Sequence, residues 1–550
     1  MEFDAVLIEP RIQEMTQKGF WLGKTVNDYF DACLDKCPDK RALTSIQVAS
    51  GARRDLTFRE LGVIANRVAV GLSRLGVERN DVVTCQLPNC WQFVATFLAC
   101  ARIGAAFNPV MHIFRQHELS FMLRHGEAKV FIVPKVFRGF DHEAMAEEMR
   151  PALPDLAQVI VLDGEGGNSF DALLLDPVFD DDTEIVHIAA ASKPGPNDVC
   201  QLIFTSGTTG EPKGVMHTSN TLFSNLVPYA ERLRLTGDDV IMMASPMAHQ
   251  TGYMYGGLMP FMLQAHAILL DSWDKDLAAK IVAEEKCTFT MASTPFLMDL
   301  TAAVEAGKTD SSSLRIFLCA GTAIPGPVVE KARAVLGAKI VSAWGMSENG
   351  AVTLINPDDP DERAVSTDGY PLAGMEIRIV RSDGTLAAAD EEGELQVRGC
   401  SNFGGYLKRP QLNNTDAEGW FGTGDVARMD SQGYIRICGR IKDVIIRGGE
   451  NIPVVEVEST LFKHPDLAMV AIVSYPDERL GERACAFVVP KPGASFTFDD
   501  MTQFLAGQQL AKQYWPERLE VREALPATAS GKIQKFALRE MLRSGAANPN

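Results

Sequence analysis

Thr205-Ser206-Gly207-Thr208-Thr209-Gly210-Glu211-Pro212-Lys213-Gly214 follows directly on the apolar run Val199 to Phe204, which reads as a buried strand. Val215 to Leu226 resumes a helix-like pattern near Ser219 or Asn220, so the decapeptide is expected to be a loop. Three glycines open backbone conformations closed to other residues, three threonines and a serine supply hydroxyls, and Lys213 supplies a compact positive charge. Exposed backbone N–H groups, hydroxyls and a lysine together suit a polyphosphate. A flexible surface linker is the alternative, but such linkers rarely leave a buried strand directly. A Walker A loop fits less well still, because no Gly-Lys-Ser/Thr ending is present.

Working outward, the chain alternates strand-like and helix-like segments, the pattern of a layered α/β protein. Asp239 to Ala244 leads as a strand into Pro246-Met247-Ala248-His249, which puts His249 just past a strand end, where open α/β sheets place binding groups. By itself such a histidine is as well explained as a cap or core residue. Ile316 to Cys319 runs into Ala320-Gly321-Thr322-Ala323, and Gly321 permits close approach of a planar ligand. Lys339 to Ala343 delivers Trp344-Gly345-Met346-Ser347-Glu348, whose aromatic surface, hydroxyl and carboxylate suit base stacking, a bond near phosphate and Mg2+ coordination. Between about Gly369 and Gly433, short strands separated by Gly, Asp and Pro predict a small sheet or barrel. There Thr423-Gly424-Asp425 places a carboxylate at the end of a glycine-rich turn, where an aspartate is ordinarily a turn former.

The decapeptide resembles the phosphate loop of the adenylate-forming superfamily, which includes acyl-CoA synthetases, luciferases and peptide-synthetase adenylation domains. The other motifs extend that resemblance over nearly the whole chain. It implies a large N-terminal domain, residues 1–440, of layered α/β subdomains with a β-barrel-like subdomain, and a mobile α+β C-terminal domain, residues 441–550. It also implies ATP, Mg2+ and coenzyme A as reactants and cofactors. Thr205, Ser206, Gly207, Thr208, Thr209, Gly210 and Lys213 would hold the phosphates, with Lys213 toward the β and γ positions. Gly321, Thr322, Trp344, Gly345, Met346 and Ser347 would contact the nucleotide; Glu348 and Thr205 would hold the metal; and His249 would border the carboxylate site. Asp425 would accept hydrogen bonds from the ribose hydroxyls, with Arg440 within reach of the ribose. Lys442 would be the hinge, Lys532 the catalytic lysine, and Arg447-Gly448-Gly449 the passage for pantetheine. Tyrosine and threonine are usual at the Trp344 and Ser347 positions; both substitutions keep the chemical capacity. The paired glycines at 448 and 449 are also compatible with a tight turn alone.

Composition bounds the setting. At 550 residues the chain exceeds one core, and 53 Lys plus Arg against 71 Asp plus Glu give a formal charge of -18. Such a surface argues against nucleic acid as a partner and confines polyphosphate binding to a local pocket. The 11 cysteines show no zinc-site spacing. No basic segment followed by an apolar stretch opens the sequence, so a cytoplasmic protein without membrane insertion is expected. Gly252 to Leu270 is mostly apolar, but Pro260, Gln264 and His266 fit a buried helix and strand better than a membrane span.

The implied reaction joins a carboxylic acid to ATP as an acyl-adenylate, releasing pyrophosphate, and then transfers the acyl group to coenzyme A. A carrier protein is an alternative acceptor, and oxygen a third, as in luciferases. Gln250 to Gly257, with Thr322 and Ala323, is expected to line an acyl pocket of neutral and apolar residues, favouring a hydrocarbon acid. The run Ile445 to Pro453 resembles bacterial alicyclic-acid ligases, which implies cyclohexanecarboxylate or a medium-chain acid as substrate.

Overall fold

The computed structural model describes the chain except for residues 177–181, 206–211, 321–323, 325, 442–444, 448–449, 478, 509, 511, 529–531 and 545–550. Two large sheets dominate the N-terminal part. One has nine strands in the spatial order Tyr370–Pro371, Gly350–Leu354, Lys339–Met346, Ile316–Ala320, Phe289–Ala292, Val240–Met243, His266–Leu270, Arg41–Ile46 and Arg53–Thr57. The six central strands, from Lys339–Met346 to Arg41–Ile46, pair in parallel. Their near-continuous burial is what a parallel sheet covered on both faces requires. The second sheet has six strands, ordered Lys213–Thr218, Val199–Thr205, Ala106–Pro109, Val82–Cys85, Ala128–Pro134 and Gln158–Leu162.

Local signals in the sequence account for several boundaries. Thr57 caps the helix Phe58–Arg74 through a reciprocal box with Glu60, worth about 1 kcal/mol. The almost wholly buried helix Trp91–Ile103 stops at Gly104, whose φ of 76° supplies the left-handed cap. Gly252–Leu258 forms a π-helix, continued by the helix Met259–Leu263 and the strand His266–Leu270, all inside the core. No helix among the described residues is long and apolar enough to cross a membrane.

The segment expected to be barrel-like is instead an open antiparallel sheet of four strands, Met375–Val380, Gly393–Gly399, Phe421–Met429 and Ile435–Arg440, in sequence order. Its first and last strands do not pair, and one flank of the sheet packs on the main core through Met375, Ile379, Leu395 and Val397. The smaller C-terminal domain has its own sheet, with Glu450–Ile452, Ile445–Arg447, Gly481–Pro490 and Leu467–Asp477 in order, and with Arg518–Val521 parallel to Gly481–Pro490. Separate apolar clusters lie on its faces, one around Val457, Leu461 and Leu505, the other around Phe487 and Leu538.

Candidate active site

Strand Val199–Thr205 does not lead through a loop straight into a helix. The chain returns antiparallel as Lys213–Thr218, with Lys213 opposite Thr205, and only then begins the helix Ser219–Leu233. That return strand escapes a reading by alternation because its edge is covered and nearly every residue is buried. The cover is the segment 404–407: Gly404 N–H donates to Met216 O at 2.7 Å, Met216 N–H to Gly405 O at 3.1 Å, and Leu407 N–H to Gly214 O at 2.8 Å. Thr205 and Lys213 therefore stand opposite one another at the ends of paired strands. Ser206, Gly207, Thr208, Thr209 and Gly210, between them, lie outside the described residues, as do Gly321, Thr322, Lys442, Gly448 and Gly449.

The same covering segment reaches Glu348. Strand Lys339–Met346 pairs antiparallel with Gly350–Leu354, so Ser347, Glu348 and Asn349 form the connecting turn. Within the pair, a Cβ on Gly345 would collide with the Gly350 carbonyl oxygen, which requires glycine there. Glu348 is 6% exposed; its Oε1 accepts from the Tyr406 hydroxyl at 2.7 Å, and its backbone oxygen accepts from Phe403 N–H at 2.7 Å. Lys213 Nζ lies 4.6 Å from the centre of the Tyr406 ring. Among the described residues no ion pair joins Lys213 or Glu348 to any partner. On the turn's other side, His217 Nε2 is 2.7 Å from Ser347 O while its Nδ1 is 3.1 Å from Thr221 Oγ1. Burial pulls the His217 pKa down to about 4, so near neutrality the ring is uncharged: Nε2–H donates to the carbonyl and Nδ1 accepts from the hydroxyl. Tyr406 and His217 were not singled out by sequence. An aromatic residue set in the glycine-rich run Phe403-Gly404-Gly405-Tyr406 was the available signal for the first.

Asp425 sits inside the strand Phe421–Met429 and not at the end of a turn. Its glycines are absorbed into the sheet: Gly424 has φ of 73°, and the register shifts on both sides of the strand. Asp425 is 4% exposed, with Oδ2 accepting from Trp344 Nε1–H at 2.9 Å and Oδ1 paired with Arg440 Nε at 2.8 Å. Three residues distant in sequence thus form one closed cluster.

His249 follows strand Val240–Met243 in a turn anchored from the second sheet, where Asn89 accepts from Met247 N–H at 2.6 Å and donates to Ser245 O at 3.0 Å. Its pKa is pulled down to about 4, first by burial and then by the charge of Lys532. Lys532 is held in its own turn, with its N–H 3.0 Å from Thr528 Oγ1 and its carbonyl accepting from Thr528 N–H at 2.7 Å. The π-helix begins beside His249. A Cβ on Gly252 would meet the Pro246 carbonyl oxygen, and one on Gly256 would lie 2.5 Å from Met243 Cγ. Arg447 points elsewhere: its guanidinium pairs with Glu517 and donates to Trp515 O within the C-terminal sheet. The structure thus brings Thr205, Lys213, Trp344, Ser347, Glu348, Asp425 and Arg440 into connected elements, lets the charge of Lys532 act on His249, and leaves Arg447 engaged apart from them.

Residues 30–407 match the AMP-binding enzyme family, and residues 456–532 match the AMP-binding enzyme C-terminal domain. The chain is 37% identical over 535 residues to the medium-chain fatty-acid–CoA ligase of Escherichia coli, spanning 97% of this chain and 93% of that one. It is 31% identical over 537 residues to a salicylyl-CoA synthase/salicylate adenylyltransferase of a Streptomyces species, spanning 96% of each. Among solved structures, the anthranilate CoA ligase AuaEII in complex with anthranoyl-AMP superposes with a TM-score of 0.83 at 25% identity, covering 96% of this chain and 98% of that one.

Proposed function

Because the chain belongs to the AMP-binding enzyme family, we propose that it couples an apolar carboxylic acid to coenzyme A through an acyl-adenylate, in the cytoplasm. The observation that carries this reading is the pair of buried carboxylates, one already bonded by Trp344 and Arg440 and the other, among the described residues, bonded only on one oxygen. The first suits a ribose beside an indole; the second, with Lys213 near, suits a metal-bound triphosphate.

In the first step a carboxylate oxygen bonds to the α-phosphorus of ATP, the bridge to the β-phosphate breaks, and pyrophosphate leaves. No general base is needed, since the acid is already ionised near pH 7. Charge accumulates on the nonbridging oxygens, where Lys532, Thr205, Thr208 and Ser347 would stabilise it. Glu348 and Thr205 present the oxygen donors a hard divalent cation requires, and Mg2+ bound there would neutralise phosphate charge. Ser206, Gly207, Thr209 and Gly210 would cradle the phosphates through backbone N–H groups, and Gly321, Thr322, Gly345 and Met346 would border the base. Asp425 would receive the ribose hydroxyls, and neutral His249 would border the reacting carboxylate.

In the second step the thiol sulfur of coenzyme A attacks the acyl carbon, the bond to the adenylate oxygen breaks, AMP leaves, and the thiol proton is released. The division at residues 440 and 441, with Lys442 as hinge, would let the C-terminal domain withdraw Lys532 and bring Arg447, Gly448 and Gly449 to the centre. Arg447 would have to leave Glu517 or carry it along.

The wall that starts at His249 favours an apolar acid. Tyr253, Met254, Tyr255, Gly256 and Gly257 are buried, and Tyr253 and Tyr255 are packed against other aromatic rings. Each methylene withdrawn from water contributes roughly 0.8 kcal/mol. Cyclohexanecarboxylate or a medium-chain acid is therefore expected to exceed acetate or phenylalanine in kcat/KM. The test supplies ATP, Mg2+, CoA and a panel of acetate, hexanoate, cyclohexanecarboxylate, benzoate and phenylalanine, with the acyl-CoA identified by mass. Acetate as best substrate would refute the apolar pocket, benzoate or hexanoate would refute the alicyclic preference, and adenylate without acyl-CoA would point to a carrier-protein acceptor.

A further inference from the structure

We infer that Tyr406 is a positioning residue for adenylate formation, one that fixes a single oxygen of Glu348 with its hydroxyl and keeps Lys213 apart from that carboxylate with its ring. The inference rests on the assignment of Glu348 and Lys213 to metal and phosphate above, and adds the residue that sets their relation.

The argument begins with what two opposite charges do in a cleft of low dielectric. A lysine and a glutamate able to reach one another would collapse into an ion pair, and each would then have to be separated before it met its ligand. Here both contact the same aromatic side chain. Lys213 Nζ rests 4.6 Å from the Tyr406 centroid, a position where the ring's negative face attracts an ammonium without neutralising it. The hydroxyl of the same ring, 2.7 Å from Glu348 Oε1, uses one carboxylate oxygen and fixes the plane of the group. In this contact the phenol O–H donates and the carboxylate oxygen accepts.

Tyr406 is itself held on several sides, as a spacer must be. It is 3% exposed, its N–H donates to Asn413 Oδ1 at 2.8 Å, it bridges to Val215 of the hairpin strand, and its ring meets Phe403 edge-on at 4.8 Å. Beneath it the Arg11 guanidinium donates to Asn402 O at 2.7 Å and Phe403 O at 2.8 Å, fixing the backbone that leads to it. Neither function of the ring needs the other, which makes them separable by substitution.

Tyr406→Phe keeps the ring and removes the hydroxyl; Tyr406→Leu removes both. Acid-dependent pyrophosphate release is measured across Mg2+ and ATP concentrations, alongside thioester formation from supplied acyl-adenylate and CoA. For Tyr406→Phe, the half-saturating Mg2+ concentration is expected to rise about tenfold and kcat for pyrophosphate release to fall about tenfold, the size of one lost bond to a charged group. KM for ATP should stay within about twofold, because Lys213 retains its ring. Tyr406→Leu should raise KM for ATP as well, and both variants should keep the thioester step. Glu348→Gln separates the levels of the argument. A shift in Mg2+ dependence with Glu348→Gln but none with Tyr406→Phe would overturn the positioning role alone. No shift with Glu348→Gln would overturn the metal assignment and the inference together. Equal loss of both half-reactions in Tyr406→Phe would reduce the residue to a packing element and overturn the inference as well.

Discussion

Asp425 and Glu348 are both carboxylates withdrawn from solvent, at 4% and 6% exposure, yet they are supported in opposite ways. Asp425 has an indole N–H on one oxygen and a guanidinium on the other. Its desolvation is offset within the protein, and the cluster exists before any ligand arrives. Glu348 has a neutral phenol on one oxygen and no ion pair among the described residues. Its burial is offset less completely, and a cation is the partner that would complete it. The difference teaches where preorganisation is spent: on shape at the proposed ribose end, and on unneutralised charge at the proposed phosphate end.

The largest effect is expected from a residue outside both clusters. Lys532→Ala should lower acid-dependent pyrophosphate release by about 100- to 1,000-fold, the scale of losing a group aimed at developing transition-state charge. Conversion of supplied acyl-adenylate to thioester should persist. Parallel rate measurements of the two half-reactions check this; equal loss in both would break the assignment of charge stabilisation to the first step. Next, Asp425→Ala should reduce kcat/KM for ATP by about 10- to 100-fold, since it leaves both Trp344 and Arg440 without their acceptor. Titrations of ATP and Mg2+ on this variant sharpen the comparison: Mg2+ dependence should remain normal, whereas a shift equal to that of Glu348→Gln would merge the two sites into one.

The smallest effect lies outside the cleft and sets the baseline for acid experiments. His112, His142, His217, His249 and His266 are each pulled from about 6.5 to about 4, with burial the first cause in every case. The unfolded chain therefore binds more protons between these values, so stability rises with pH across that window and is lost as pH falls from about 6.5 toward 4. His142, beside Gln86 and remote from the cleft residues, is the one to remove. His142→Gln should make the fall in stability shallower, by about 1 kcal/mol at pH 4.5 once solvent screening is allowed for, with the other four histidines still contributing. Urea denaturation at pH 7 and pH 4.5 measures the change; an unaltered slope would assign the acid sensitivity to the remaining histidines.

Sequence made visible those parts of the molecule whose chemistry is carried by near neighbours. The buried run before Thr205, the Thr57–Glu60 box and the stop at Gly104 each declare themselves within a few residues. Trp344 and Glu348 were legible as types, because a strand end supplies both. Their partners were not. Tyr406 lies 58 residues from Glu348, and His217 lies 130 from Ser347, so only tertiary packing unites them. The return strand Lys213–Thr218 was hidden by burial of its edge, and Asp425 was misplaced in a turn because Gly422 and Gly424 look like turn residues when the bulges accommodating them are unseen. Counting short strands likewise points to a small sheet or barrel but carries no information on closure; the four strands leave their ends unjoined.

The π-helix Gly252–Leu258 has a consequence for how this enzyme can diversify. A π-turn accommodates one more residue per turn than the surrounding α-helical path, and here it is pressed so closely against Pro246 and Met243 that side chains at positions 252 and 256 have no room. One wall of the proposed acyl pocket is therefore closed to stepwise mutation: a single added methyl at Gly256 already lies 2.5 Å from Met243 Cγ, so the Met243 side chain or the π-turn has to shift. Laboratory selection for a new acid is therefore expected to gather its changes away from positions 252 and 256.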